Sequence, residues 1–448
     1  MYTLIALVFV IGYACIALEH PLHVNKAASA LITGVLIWVL LMIGAEHFVD
    51  TQGAAFLAWS GQHTAVGTMD PAHAFMGYEL LEHLSNIASI LFFLLGAMTI
   101  VELIDAHEGF RVITDRITGS RKVPLLWMLS IITFFLSAAL DNMTTAIVMC
   151  ALLRKLIKDK ETLWVFAGMV IVAANAGGAW SPIGDVTTIM LWIGGQVTTV
   201  NIMMKLVLPS LVCLVLPLLW FTFTLKGTIE RPHLADDAHV VKVTRNEQLL
   251  IFFVGLASLL GVPLFKTYTH LPPYMGILLG LGILWLITEI MHKEGAENGK
   301  GYLMVTSTLK RIDSASILFF LGILTAVAGL ETAGHLEDAS RFLNAHLGSI
   351  YTINGMIGVL SAIVDNIPLV AAGMGMYPLT EFPPDSPFWE LLALCAGTGG
   401  SILIIGSAAG VATMGILGIE FIWYVRKIAF PAALGYFGGI LAFWLIWG

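Results

Sequence analysis

Long apolar runs alternate with short polar breaks along the chain, and the runs Met1 to Leu18, Ala27 to Gly44, Ile87 to Ile104 and Phe430 to Trp447 hold scarcely a charge. An α-helix needs roughly 20 such residues to cross about 30 Å of hydrocarbon, so these runs predict spanning helices. The first lacks the basic start and small-residue cleavage site of a secretory signal and is read as a retained helix. Two stretches break the pattern. Pro124 to Leu153 carries Asp141, Asn142, Thr144 and Thr145 at its centre between two short apolar arms. Such a polar centre is tolerated at membrane depth only inside protein or beside a wet cavity, which predicts a re-entrant hairpin. Asn175 to Thr188 contains three glycines and Pro182, which predict an interrupted helix.

Both features occur twice. Ser89-Ile-Leu-Phe-Phe-Leu returns from Ser316, Ser137-Ala-Ala-Leu-Asp-Asn142 returns as Ser361-Ala-Ile-Val-Asp-Asn366, and the glycine-rich Gly177 to Gly184 is answered by Gly399 to Gly406. Internal duplication of this kind marks many secondary transporters. The sequence therefore reads as an all-α polytopic membrane protein of two repeats, residues 1–226 and 248–448, joined by a polar linker, 227–247. Each repeat reads as five crossings plus a re-entrant hairpin and an interrupted helix, and an odd number of crossings inverts the second copy.

Charge placement tests that topology, because Lys and Arg gather on the cytoplasmic side. Under the inverted arrangement all of the 22 Lys and Arg residues except Lys205, Lys266 and Arg341 fall on one side, while Ala45 to Glu82 has acidic residues and no Lys or Arg. Both termini then face the periplasm of a bacterial inner membrane. Composition agrees: 58% of residues are hydrophobic and 12% charged, against about 25% charged in soluble domains. The net charge of −8 offers nucleic acid no attraction. Cys15, Cys150, Cys213 and Cys395 are scattered singly, as buried thiols and not metal ligands. Trp38, Trp285, Trp444 and Trp447 fit an interfacial belt.

Chemistry concentrates in the duplicated polar tips. A carboxylate at the bilayer centre costs about 2.5–3.5 kcal/mol on insertion scales, so Asp141 and Asp365 are candidate ion or proton groups; each is equally suited to cap a half-helix. Asp185 follows the Gly/Pro break, where freed carbonyls beside Asn175, Ser181, Thr187 and Thr188 would make a hard-oxygen site; a kinked helix packed through its glycines is the plainer alternative. Ser407 stands where Asp185 has its repeat equivalent. The candidate cation or proton site comprises Asp141, Asn142, Thr144, Thr145, Asn175, Ser181, Asp185, Thr187, Thr188, Ser361, Asp365, Asn366, Ser401 and Ser407, with Asp141, Asp185 and Asp365 as carboxylates for Na⁺ or Li⁺. His83, with Glu82 beside it, is a candidate pH sensor because imidazole titrates near neutrality.

In Ser137 to Met149, Asn175 to Thr188 and Ser361 to Val370, and over nearly its whole length, the chain resembles the NhaD type of bacterial sodium/proton antiporter, within an ion-transporter superfamily that includes arsenite, citrate and dicarboxylate carriers. The resemblance implies an elevator-like transporter, often dimeric, whose mobile region carries both hairpins and both interrupted helices. Dicarboxylate carriers that it resembles place Ser-Asn-Thr at both tips; Asp141 and Asp365 depart from this and would repel an anion. The expected function is exchange of Na⁺ or Li⁺ for H⁺, with the ions as substrates, membrane lipid as surroundings and no cofactor. Arsenite efflux and sodium-coupled anion transport stay open. No HExxH, GxSxG or phosphate-loop motif points to an enzyme, and an intramembrane aspartyl protease is disfavoured because each central Asp is followed by Asn in a duplicated tip.

Overall fold

Apolar runs become helices because hydrocarbon leaves backbone N–H and C=O groups only one another as partners. The computed structural model describes residues 1–51, 53–62, 70–114, 119–230, 243–293 and 301–448. Much of the linker, 231–242, and with it Arg231 and Lys242, lies outside the described residues, as do Arg116 and Lys300. The principal helices are α1 (Tyr2–Ala17), α2 (Lys26–Ile43), α3 (Pro71–Ala106), α4 (Lys122–Leu140), α5 (Asn142–Leu156), α6 (Lys160–Ala179), α7 (Val186–Ile193), α8 (Thr199–Thr224), α9 (Arg245–Thr269), α10 (Pro273–Met291), α11 (Ser314–Thr332), α12 (His335–Leu347), α13 (Ile350–Ser361), α14 (Asn366–Met376), α15 (Pro387–Gly399), α16 (Ala408–Leu417) and α17 (Ala429–Trp447). Among the described residues nine helices are long and apolar enough to cross a membrane. The protein is an integral, multi-pass, all-α membrane protein.

Local chemistry sets the helix ends. Asn25 accepts from Ala27 N–H at 2.8 Å, and Thr244 and Glu247 form a capping box. Asp159 caps α6 through Thr162 N–H at 2.8 Å; the Thr162 hydroxyl and N–H hold its carboxyl below the usual carboxylate range. The segment expected to form the first re-entrant hairpin has one arm longer than expected. Its leading arm, α4, runs 19 residues and is long enough to cross, because no glycine, and no proline after the first turn, interrupts the apolar run before Asp141. The helices before and after Asp365, α13 and α14, are 12 and 11 residues, too short to span at 1.5 Å per residue.

The described chain divides into two units. One comprises residues 1–91, 313–349 and 367–383, the other 92–312, 350–366 and 384–448. In the first, α2 and α11 pack most closely: Gly322 lies directly on the backbone of Ala30 and Leu31, where a Cβ would sit within 2.5 Å. Trp38 is a correction to the belt reading. It is 5% exposed and donates its indole N–H to Thr325 O at 2.9 Å inside this unit, because its helix face meets α11. Trp444, 52% exposed, suits a belt.

In the second unit α6 is the innermost helix, packed by α4, α5, α8 and α15. Its helix stops at Ala179, and Trp180 to Asp185 runs as turns before α7 begins. The counterpart break follows α15, with Ser407 capping α16 through Gly410 N–H at 3.2 Å. The cysteines are free thiols, and Cys150, Cys213 and Cys395 are buried.

Candidate cation site

Breaking a helix between Ala179 and Val186 leaves Asp185 as the N-cap of α7, its Oδ1 accepting from Thr187 N–H at 3.0 Å. The Thr188 hydroxyl completes the capping box, accepting from Asp185 N–H at 3.2 Å and donating to Asp185 O at 2.9 Å. The carboxylate is 1% exposed. Two further donors reach it. Asn142 Nδ2, at the start of α5, donates to Oδ2 at 2.8 Å, and Asn366 Nδ2, at the start of α14, donates to Oδ2 at 3.2 Å and Oδ1 at 3.5 Å. The Asn of each duplicated Asp-Asn pair thus converges on the one Asp that has no acidic counterpart in the other half.

Asn175 ties the other interrupted helix into the cluster. Its Oδ1 accepts from Asn142 Nδ2 at 3.0 Å, while its Nδ2 donates to Ser401 Oγ and Ser407 Oγ, both at 2.9 Å. Among the described residues no Lys, Arg or His hydrogen-bonds to Asp185; its partners are backbone and amide dipoles. The cluster is held by serines that tie each hairpin to its interrupted helix: Ser137 Oγ donates to Ala174 O at 2.6 Å, Ser181 Oγ to Ala138 O at 2.6 Å, and Ser361 Oγ to Ala396 O at 2.7 Å. Gly177 and Gly399 rest on the backbone carbonyls of Phe134 and Gly358, where a Cβ would collide. A nearby cavity of about 650 Å³, lined by Phe135, Trp180, Pro182, Met203 and Leu260, is nearly all apolar and offers a cation no ligand set.

This geometry can be set beside known proteins. Residues 7–397 match the family model described as a citrate transporter. The chain is 47% identical over 440 residues to "Sodium/proton antiporter 1" of Arabidopsis thaliana, covering 98% of this chain and 71% of that one. To "Sodium/proton antiporter 2" of the same plant it is 45% identical, covering 98% of each. To "Na(+)/H(+) antiporter NhaD" of Vibrio cholerae it is 32% identical over 91% of this chain and 84% of the relative. The chain belongs to the NhaD-type antiporter family.

The other candidate positions of this NhaD-type chain fall in two groups. Asp141 is half-buried and turns back on its own helix, taking Thr144 N–H on Oδ1 and the Thr144 hydroxyl on Oδ2, both at 2.8 Å; its backbone φ of 80° is rare for a residue other than glycine. Thr145 Oγ1, one turn into α5, is buried without a hydrogen-bond partner among the described residues. Asp365 is half-buried at the residue before α14. His83 and Glu82 lie in the first unit. There the His83 ring is 3.2 Å from Thr332 Oγ1 and 4.0 Å from the Glu79 carboxylate, and Glu82 is exposed.

Sequence reasoning missed Ser137, although it opens the same repeated motif as Ser361. It also missed a second buried carboxylate, Glu390, which is 0% exposed and paired with Lys205 at 3.0 Å. Nothing in the spacing of those two residues pointed to their pairing.

Proposed function

We propose that this chain is a secondary antiporter exporting Na⁺ or Li⁺ in exchange for H⁺, with Asp185 as the carboxylate for which the two ions compete. One observation carries the reading. Of the two fully buried carboxylates in the second unit among the described residues, Glu390 has a lysine ammonium as built-in counter-charge, whereas Asp185 is hydrogen-bonded by backbone and amide dipoles and by no basic side chain. A buried carboxylate without a fixed cation is balanced by a mobile one, either a proton or a metal ion. The names of the relatives, sodium/proton antiporters, support exchange of Na⁺ for H⁺.

Asp185, the amide oxygens of Asn142, Asn175 and Asn366, and the hydroxyls of Ser401 and Ser407 supply the oxygen ligands that a small hard cation prefers. Asp141 and Asp365, each beside an Asn of the cluster, set the surrounding negative field; Thr144, Thr145, Ser181, Thr187, Thr188 and Ser361 hold the breaks open. Binding of one ion expels the other, and the linkage is reciprocal. The site is exposed alternately to each face by an elevator-like movement of inverted repeats 1–226 and 248–448, in a dimer with both termini outside the bacterial cytoplasm. Where more than one proton enters per sodium, the membrane potential contributes about 2.3 kcal/mol per net charge per 100 mV.

A citrate or dicarboxylate substrate would meet this acidic centre with like charge. The test is proton flux in everted vesicles from cells lacking their own sodium antiporters, with Na⁺, Li⁺, K⁺, arsenite and succinate added separately. The proposal expects the pH gradient to collapse with Na⁺ or Li⁺ only. Silence to both, with a response to arsenite or succinate, would overturn it.

A further inference from the structure

Lys205 is one of three basic residues that defy the one-sided distribution of positive charge, and its surroundings account for the exception. Its Nζ lies 3.0 and 3.2 Å from the two carboxylate oxygens of Glu390 and donates to Asp385 O at 3.3 Å. Asn201, one turn earlier on α8, donates its amide to Glu390 Oε1 and, at 3.5 Å, to Asp385 O. Asp385 in turn accepts from Thr198 N–H at 2.6 Å and the Thr198 hydroxyl at 2.9 Å, and donates its own N–H to Gln196 O at 2.8 Å. The Trp447 indole donates to Lys205 O at 3.1 Å. The charged groups acting on Glu390 are Lys205 and Asp385.

The pair stands at the start of α15, the leading arm of the second interrupted helix. Gly397 lies seven residues after Glu390, two turns on and on the same face of that helix. A Cβ added at Gly397 would sit 3.7 Å from Asp185 Oδ2, and the same helix leads into Ser401, which accepts from Asn175. A helix transmits axial displacement along its length, so whatever fixes Glu390 on α8 fixes the distance between Gly397 and Asp185. We propose that Lys205 and Glu390 are positioning residues for ion exchange: their partly buried ion pair latches α15 onto α8 in the register that shapes the Asp185 site. The proposal rests on the exchange reading above.

The test uses the full chain, purified and reconstituted in liposomes, with Na⁺-driven proton flux followed against Na⁺ concentration and pH. Melting temperature is read on the same preparations. Lys205→Met and Glu390→Gln should each raise the half-saturating Na⁺ concentration about tenfold, within the range of coupling between contacting residues, and shift the pH profile, with maximal flux changed much less. The double charge swap, Lys205→Glu with Glu390→Lys, should recover much of both. Unchanged half-saturation and pH profile in the single variants, or a swap no better than the worse of them, would overturn the latch. Removing one partner of a buried pair is costly, so Lys205→Arg and Asn201→Ala, which keep the charges balanced, serve where the first variants fail to accumulate. Near-normal exchange in Lys205→Arg with a raised half-saturation in Asn201→Ala supports the latch, and an Asn201→Ala protein indistinguishable from wild type refutes it. A wild-type protein silent to Na⁺ would instead overturn the exchange reading itself, a failure visible before any substitution is made.

Discussion

Asn366 donates its side-chain amide to both carboxylate oxygens of Asp185, at 3.2 and 3.5 Å, across a sequence separation of 181 residues. Asn142 does the same to one oxygen from the other Asp-Asn pair. Two hairpin motifs that look self-contained in the sequence are therefore joined through a single buried carboxylate.

If those amides shape the cation site, Asn142→Ala and Asn366→Ala should each raise the half-saturating Na⁺ concentration by about tenfold or more, since a hydrogen bond to a charged group is worth about 1.5–3 kcal/mol. Titration of Na⁺-driven proton flux in vesicles measures this. Wild-type values in both variants would remove the amides from the site.

Asp185→Asn should abolish exchange at normal membrane abundance, because an amide keeps the size of the carboxylate but carries no charge to balance a cation. Flux assays paired with quantified membrane protein give the answer, and retained exchange would move the competition elsewhere.

Asp141 tests capping against charge. Asn is about as good an N-cap as Asp and has the same size and shape, so Asp141→Asn should leave the melting temperature near wild type while exchange is lost. Asp141→Ala should lose exchange and also lower the melting temperature, the lost cap costing about 1 kcal/mol. Full exchange in Asp141→Asn would confine the residue to capping.

Proton competition fixes the sign of the pH effect. As pH falls, the proton occupies the carboxylate shared with Na⁺ and apparent Na⁺ affinity drops, by up to about tenfold per pH unit when one proton competes. Half-saturation measured at a series of pH values tests this; an affinity independent of pH would contradict shared occupancy.

Gly177→Ala and Gly399→Ala place a methyl group against the carbonyls of Phe134 and Gly358. Each should lower stability by about 1–3 kcal/mol, the usual cost of overpacking, and thermal melting of the purified protein would register it.

Much of this arrangement is written locally. The polar centre at Asp141 and Asn142 marks the end of α4, and the Gly/Pro cluster from Gly177 to Gly184 marks the end of α6, because both interrupt the apolar pattern that makes a helix. Other features depend on where a side chain turns after folding. Asp141 satisfies both carboxylate oxygens on Thr144 and not on another hairpin, and Trp38 enters a helix interface because Thr325, 287 residues away, offers a carbonyl. Lys205 and Glu390 are separated by 185 residues, and no periodicity within either helix encodes their meeting. The two units are likewise assembled from interleaved stretches of both halves, an outcome of long-range packing that a linear reading divides at the linker.

The three asparagines around Asp185 have a consequence for how the site changes its electrical character. A primary amide carries an N–H donor and a C=O acceptor at interchangeable ends, so half a rotation about its last bond reverses the polarity it shows to a neighbour. Asn142 and Asn366 present N–H to the carboxylate here; the same side chains turned over would present oxygen to a cation, with no displacement of backbone and no new residue brought in. Glu390 has one such amide, from Asn201, but also an ammonium that only donates and cannot be turned over. At Asp185, where amides stand without a fixed cation, the setting can change from donor-lined to oxygen-lined as an ion arrives and back as it leaves.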